Sequence, residues 1–177
     1  MNGKYLVLSA AAAMIGLAGL AADSNYDFEK SVNGALPKGY AHIKDRWCGG
    51  TFEIVNDECG TLKKALKVAT TENKKALRIL MDRPPRVQVK PGDQVVYEFS
   101  AKGNGYAVVG HYGFTAGKKF CEFASASAKL NSDKWQKITL RITCKRPEIA
   151  EMSPFFQSGT AGMIFSGLKV SVVPKDK

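Results

Sequence analysis

The stretch Lys102-Gly103-Asn104-Gly105-Tyr106 carries two glycines at the spacing that opens a phosphate-cradling loop. A dinucleotide loop needs a third glycine three residues later, with a helix starting there. Residue 108 is valine, and "YAVVGHYGF" continues with the alternation of a strand. Lys102-Gly103-Asn104-Gly105 is therefore read as a turn, where Gly and Asn accept positive φ. Hydrolysis of a glycosidic bond needs two carboxylates facing across a cleft, and here the acids are dispersed with no E-x-D-x-x-E-like arrangement. Nucleophilic catalysis needs a Ser or Cys beside a base. The histidines are His42 and His111, and no G-x-S-x-G occurs. The pair His111-Tyr112 suggests proton abstraction next to a uronate, but neighbours on a strand point to opposite faces. The expectation is a protein without catalytic activity.

Four cysteines, Cys48, Cys59, Cys121 and Cys144, suit an oxidising compartment. No C-x-x-C occurs, so zinc has little support in the spacing. Of three possible connectivities, Cys48–Cys59 with Cys121–Cys144 is expected, each bridge stabilising by about 2–4 kcal/mol. Two buried free thiols are the alternative for Cys121 and Cys144.

The compartment is suggested from the other end of the sequence as well. "MNGKYLVLSAAAAMIGLAGLAADSN" has a short n-region with Lys4, an apolar run and small residues at Gly19, Ala21 and Ala22. That is the order of a secretory signal peptide, cleaved after Ala21 or Ala22. The rival is a membrane anchor, but the apolar run falls short of the roughly 20 residues a span needs. The expectation is one domain over residues 23–177 of a protein that is secreted, periplasmic or on the cell surface, with no membrane span after cleavage. The sequence has 26 Lys and Arg against 16 Asp and Glu, a net charge of +10. Such a balance favours acidic partners such as anionic glycans or envelope polymers; it equally suits an exported protein that is merely lysine-rich. Nucleic acid is not expected, because no basic tract or RNP-like motif accompanies the aromatics.

The elements that would position these residues are strands. In "RVQVKPGDQVVYEFSAKG", Val95, Tyr97, Phe99 and Ala101 fall on one face and Gln94, Val96, Glu98 and Ser100 on the other, the period of a half-buried strand. "YAVVGHYGF" sets Tyr106, Val108, Tyr112 and Phe114 against Ala107, Val109 and His111, the first set being the more apolar and the expected core side. "KWQKITLRITC" places Ile138, Leu140, Ile142 and Cys144 together, and "AGMIFSGLKVSVV" reads as a long closing strand. "TLKKALKVATTENKKALRILM" has helical spacing at Leu62, Ala65, Leu66 and Ala69, yet Thr70-Thr71-Glu72-Asn73 is a poor helix interior and a good turn. Two strands joined as a hairpin are expected there. Many short strands between Gly, Pro, Asn and Asp turns predict an all-β, two-sheet antiparallel β-sandwich.

The ordered set "DFEK", "GTLKKALKV", "VKPGDQVVYEFSAKG", "LNSDKWQKITLRIT" and "GMIFSGLKVSVV" spans nearly the whole of residues 23–177. In that order it resembles the carbohydrate-binding-module-like jelly rolls, the broad galactose-binding-like superfamily. The resemblance implies a jelly roll of eight or more strands that binds polysaccharide on a concave sheet face or in end loops, and it makes Trp135 a packing residue. Calcium-binding relatives hold a structural ion with an early acidic residue, here Glu29, and another near the last strand. That second place reads Phe165-Ser166-Gly167-Leu168, without a carboxylate, so no cofactor is expected to be required and calcium is disfavoured. Sugar binding needs flat aromatic faces flanked by hydrogen-bonding groups. Trp47, Tyr40, Tyr106, His111 and Tyr112 are the candidate platforms, with Arg78, Gln94 and Glu98 as polar partners. The expected function is carbohydrate binding; the alternative is a structural or adhesive cell-envelope protein that packs against protein partners.

Overall fold

The computed structural model describes residues 21–32, 34–70, 76–81 and 86–175. Of the segment read as a leader, residues 1–22, residues 1–20 lie outside them. Among the described residues the chain is all strand: β1 (Ala21–Tyr26), β2 (Tyr40–Ile43), β3 (Thr51–Cys59), β4 (Leu62–Thr70), β5 (Leu77–Met81), β6 (Val87–Gln88), β7 (Gln94–Phe114), β8 (Phe120–Thr143), β9 (Glu151–Ser158) and β10 (Ile164–Val173). No described helix is long and apolar enough to cross a membrane.

Every pairing between these strands is antiparallel. The path runs β2-β5-β9-β7-β10-β4-β3, with β1 added to β10, β6 to β9 and β8 to β7. One strand joins the two layers. The first half of β7, Gln94 to Lys102, pairs with β10, and the second half, Val108 to Phe114, pairs with β9. β8 follows β7 along both halves. The sheet therefore curls until its halves face each other, and the core lies between them. Phe156 of β9 meets Phe165 of β10 across that space at 5.2 Å between ring centroids. Leu66, Val68, Leu77, Ile79, Val95, Tyr97, Val109 and Val170 are all fully enclosed around them. This is the expected jelly-roll sandwich, and each large apolar side chain so buried contributes about 1.5–3 kcal/mol.

The turn expected at Lys102-Gly103-Asn104-Gly105 is instead the bend inside β7. Gly103 has φ of 123°, a conformation open to glycine. A Cβ there would stand 3.1 Å from the Met163 backbone. Across the pair, Ala101 faces Gln136 while Gly103 faces Ser132. β8 thus carries extra residues at the bend, a bulge that turns both strands from one layer to the other. Trp135 lies in that bulge, half-buried, with Lys102 Nζ 4.8 Å from its ring centre.

Two further expectations need correcting. Residues 62–81 do form two strands, but β4 pairs with β3 and β10 while β5 pairs with β2 and β9. They belong to opposite layers, so the connection is a crossover rather than a hairpin turn; residues 71–73 lie outside the described set. The disulfides are absent: all four cysteines are free thiols. Cys48 bridges to Ala76 beside β5, whereas Cys59 ends β3, roughly 26 Å along the strand from Thr51. A disulfide requires Cα atoms within about 7 Å.

Candidate functional site

Along β7 the odd-numbered residues face the core, so the even-numbered Val108, Gly110, Tyr112 and Phe114 face outward. The register extends this outer face across four strands. Arg78 of β5 lies beside Gln157 of β9, Gln157 beside Val108, and Val108 beside Ser127 of β8. The next row runs Leu80, Phe155, Gly110, Ser125, and a third holds Ser153, Tyr112 and Phe123. The missing side chain at Gly110 lets the Phe155 ring lie down against the strand; a Cβ there would come within 2.5 Å of Phe155 Cζ. Phe123 stacks on Phe155 at 5.4 Å and 13° between ring planes, and Tyr112 meets both edge-on or tilted at 5.3 and 5.5 Å.

Arg78 fastens this cluster. Its Nε donates to Gln157 Oε1 at 2.6 Å and its guanidinium donates to the Tyr112 hydroxyl at 2.5 Å. The same group sits 5.0–5.8 Å from the ring centres of Tyr112, Phe123 and Phe155, within cation–π range. Phe155 is buried beneath, while Phe123 stays 47% exposed. The face thus offers a flat apolar platform bordered by amide, hydroxyl and guanidinium groups.

Of the eight residues expected to bind ligand, the fold brings Arg78 and Tyr112 into direct contact. Tyr106 shares their outer face and is exposed, but lies further along β7, opposite Lys129. Both tyrosines were expected to face the core, and the structure reverses this. Trp47 is 66% exposed with Arg46 against its ring at 4.8 Å. Asp45 Oδ1 accepts from the amides of Trp47 and Cys48 at 2.7 Å each, which holds the loop. These bonds, with the Arg78 charge contributing, keep the Asp45 carboxyl below its usual value. Tyr40 is turned to the core, packing on Tyr26 and Phe28 and donating to the Asp27 carbonyl. Gln94 and Glu98 belong to the first half of β7, in the other layer, beside Thr143 and Thr139. They do not join Arg78 and Tyr112. His111 is 0% exposed and points into the core, so it cannot touch a ligand on the outer face.

Glu29 fastens the start of the domain to β4: its Oε1 accepts from the amides of Lys63 and Lys64 at 2.8 Å each. Nearby, Lys64 Nζ donates to the Ser31 carbonyl. With one Glu29 oxygen held by two amide protons, the carboxylate is a poor start for a calcium site, which needs several converging oxygens.

The inward-facing residues of β7 and β8 form a second assembly. The Tyr97 hydroxyl lies 2.9 Å from His111 Nδ1, and His111 Nε2 lies 3.2 Å from Glu122 Oε1. Glu122 Oε2 accepts from the amides of Lys145 and Arg146 at 2.9 and 2.8 Å. Burial pushes the His111 pKa below its usual 6.5, against the opposing pull of Glu122. Burial would raise the Glu122 carboxyl, but the two amides and His111 outweigh it and hold it low. Beside them, burial drives the Cys144 thiol up to about 12. Over this assembly lies an open cleft of about 560 Å³, walled by Phe120–Ser125 on one side and by Arg141–Thr143, Lys145 and Arg146 on the other. Phe123 lines both this cleft and the aromatic face. Phe155, Phe123 and Glu122 were missed in the sequence because their roles depend on strand register. The signal that was present is the alternation in "FCEFASAS" (residues 120–127), which sets Phe123 opposite to Glu122.

No family profile and no curated protein matches this chain. Solved structures do resemble it. An arabinose-bound MgGH51 α-L-arabinofuranosidase superposes with a TM-score of 0.62 at 14% identity, covering 89% of this chain and 27% of that one. The chain therefore spans about a quarter of that enzyme. The CBM22-2 xylan-binding domain of Paenibacillus barcinonensis Xyn10C superposes with a TM-score of 0.56 at 14% identity, covering 85% of this chain and 99% of that domain. A cyclase from Fischerella sp. TAU gives 0.56 at 10% identity, covering 85% of this chain and 96% of the cyclase. Such identities carry the fold alone. The chain has the jelly-roll fold of the carbohydrate-binding modules.

Proposed function

We propose that this protein is an exported, non-catalytic carbohydrate-binding protein that holds polysaccharide on the outer face of β5, β9, β7 and β8. One observation carries the reading: Arg78 ties Tyr112, Phe123 and Phe155 into a single platform. Aromatic faces stack on the apolar side of a pyranose, and the Arg78, Gln157 and Tyr112 groups suit its hydroxyls. The adjoining cleft supplies Arg141, Lys145 and Arg146, which favours an acidic polysaccharide whose carboxylates reach past Phe123. The one carboxylate in that wall, Glu122, is committed to two backbone amides, and this supports a role in binding rather than hydrolysis. The likeness to xylan-binding CBM22 domains supports the same reading, and no cofactor is required for it.

A specific feature favours a second reading. Among the described pairings β8 bonds only to β7, leaving one long edge available to a protein partner in an envelope assembly. Affinity electrophoresis through gels containing neutral or uronate-bearing polysaccharides tests the first reading. Retardation by an acidic polymer that Phe123→Ala abolishes, with the thermal midpoint little changed, is the expected result. No retardation by any polymer, together with concentration-dependent self-association, would replace it with the second.

A further inference from the structure

Three donor atoms of different chemistry meet beneath the β8 cleft. A ring nitrogen of His111, a carboxylate oxygen of Glu122 and the sulphur of Cys144 all lie within 4.8 Å of one another, and all three residues are buried. We propose that they form a zinc-binding site, with the fourth position held by water from the cleft. Imidazole, thiolate and carboxylate together suit zinc, whereas hard cations want several oxygens.

The support around these donors is what a metal site needs. Ligating histidines normally have their second ring nitrogen held by an outer partner, and Tyr97 holds Nδ1 here, leaving Nε2 toward Glu122. The amides of Lys145 and Arg146 hold Glu122 Oε2, leaving Oε1 toward His111. Cys144 is pinned through its backbone: its amide donates to the Asp93 carbonyl and its own carbonyl accepts from Gly92. Around a tetrahedral zinc, ligand atoms stand about 3.3–3.8 Å apart. His111 and Glu122 are already at 3.2 Å, and the Cys144 sulphur lies within 4.8 Å of both donor atoms. On binding, the Cys144 S–H bond breaks, the sulphur–zinc bond forms with the electron pair that remains, and the proton passes to water in the cleft. Entry is short because Glu122 itself lines that cleft.

Cobalt(II) added to the chelator-stripped protein tests the site through its spectrum. The expected result is one cobalt per chain, with the intense visible bands of tetrahedral coordination and a single thiolate charge-transfer band that zinc(II) displaces. Cys144→Ser should remove that band, Cys121→Ser should leave it, and Tyr97→Phe should weaken zinc affinity by roughly 10-fold. X-ray absorption of the zinc-loaded unmodified protein covers the case in which a variant does not fold, and should show one sulphur among nitrogen and oxygen ligands. Absence of stoichiometric cobalt binding, a band that survives Cys144→Ser or depends on Cys121, or a zinc shell without sulphur overturns the proposal.

Discussion

Gly110→Ala is the smallest change that reaches the aromatic platform, adding one methyl group on the outer face of β7. That methyl carbon would overlap the Ala124 carbonyl oxygen and approach Phe155 Cζ to 2.5 Å and Cε1 to 2.9 Å. The Phe155 ring can rotate, but rotation separates it from Phe123 and from the Arg78 guanidinium. The carbonyl belongs to the backbone of β8, so relief there pulls β8 away from β7 where Gly110 faces Ser125. Overpacking of this kind costs about 1–3 kcal/mol, and one or two weakened ladder hydrogen bonds add about 1 kcal/mol each. The expected loss is about 2–5 kcal/mol, read as a lower urea midpoint with an unchanged slope. Polysaccharide retention by the folded variant should fall with it, because the platform and the strand pair depend on the same gap. A variant as stable as the parent to within about 0.5 kcal/mol, with retention intact, would refute the placement of Phe155 against Gly110.

The buried His111–Glu122 pair makes stability depend on acid. Both groups have pKa values lowered on folding, so the unfolded chain takes up their protons more readily. Stability should be fully present above pH 6.5, decline as His111 opposes protonation below that, and fall further below about pH 4.5 through Glu122; thermal midpoints across this range check it, and a flat profile contradicts it. With all four cysteines free, the protein unfolded without reductant should release four titratable thiols, and finding none or two would restore one or both disulfides. In the native state Cys144, buried and raised to about 12, should react far more slowly with a thiol reagent than the half-exposed Cys121. Trp47→Ala should leave the thermal midpoint nearly unchanged, since the ring is mostly solvent-exposed, and any loss of polysaccharide retention measures how far the ligand extends beyond the Arg78 platform.

The strand pattern was legible where polar and apolar residues alternate. Val95, Tyr97, Phe99 and Ala101 do share the core face, because the side-chain period of a strand is a local property. The same period separated His111 from Tyr112 correctly but could not say which of them faced inward. The apolar tyrosine side looked like the core, yet His111 is enclosed because Tyr97 and Glu122 satisfy both of its nitrogens. Tyr112 faces outward beneath Arg78 instead. Cys48 and Cys59 misled for the opposite reason: separation along the chain says nothing about which layer of a sandwich each occupies.

By itself the sequence determined that this chain is an all-β sandwich of alternating strands with a net charge of +10. Those properties follow from alternation, turn composition and charge, which are written in neighbouring residues. Only the tertiary structure decided what meets what. The bend at Gly103 folds β7 so that Tyr97 and His111, 14 positions apart, share a hydrogen bond across the core. The register of β5, β9, β7 and β8 sets Arg78, Phe155, Tyr112 and Phe123 in one patch. Contacts between distant strands depend on pairing order, and pairing order is fixed by how the whole core packs.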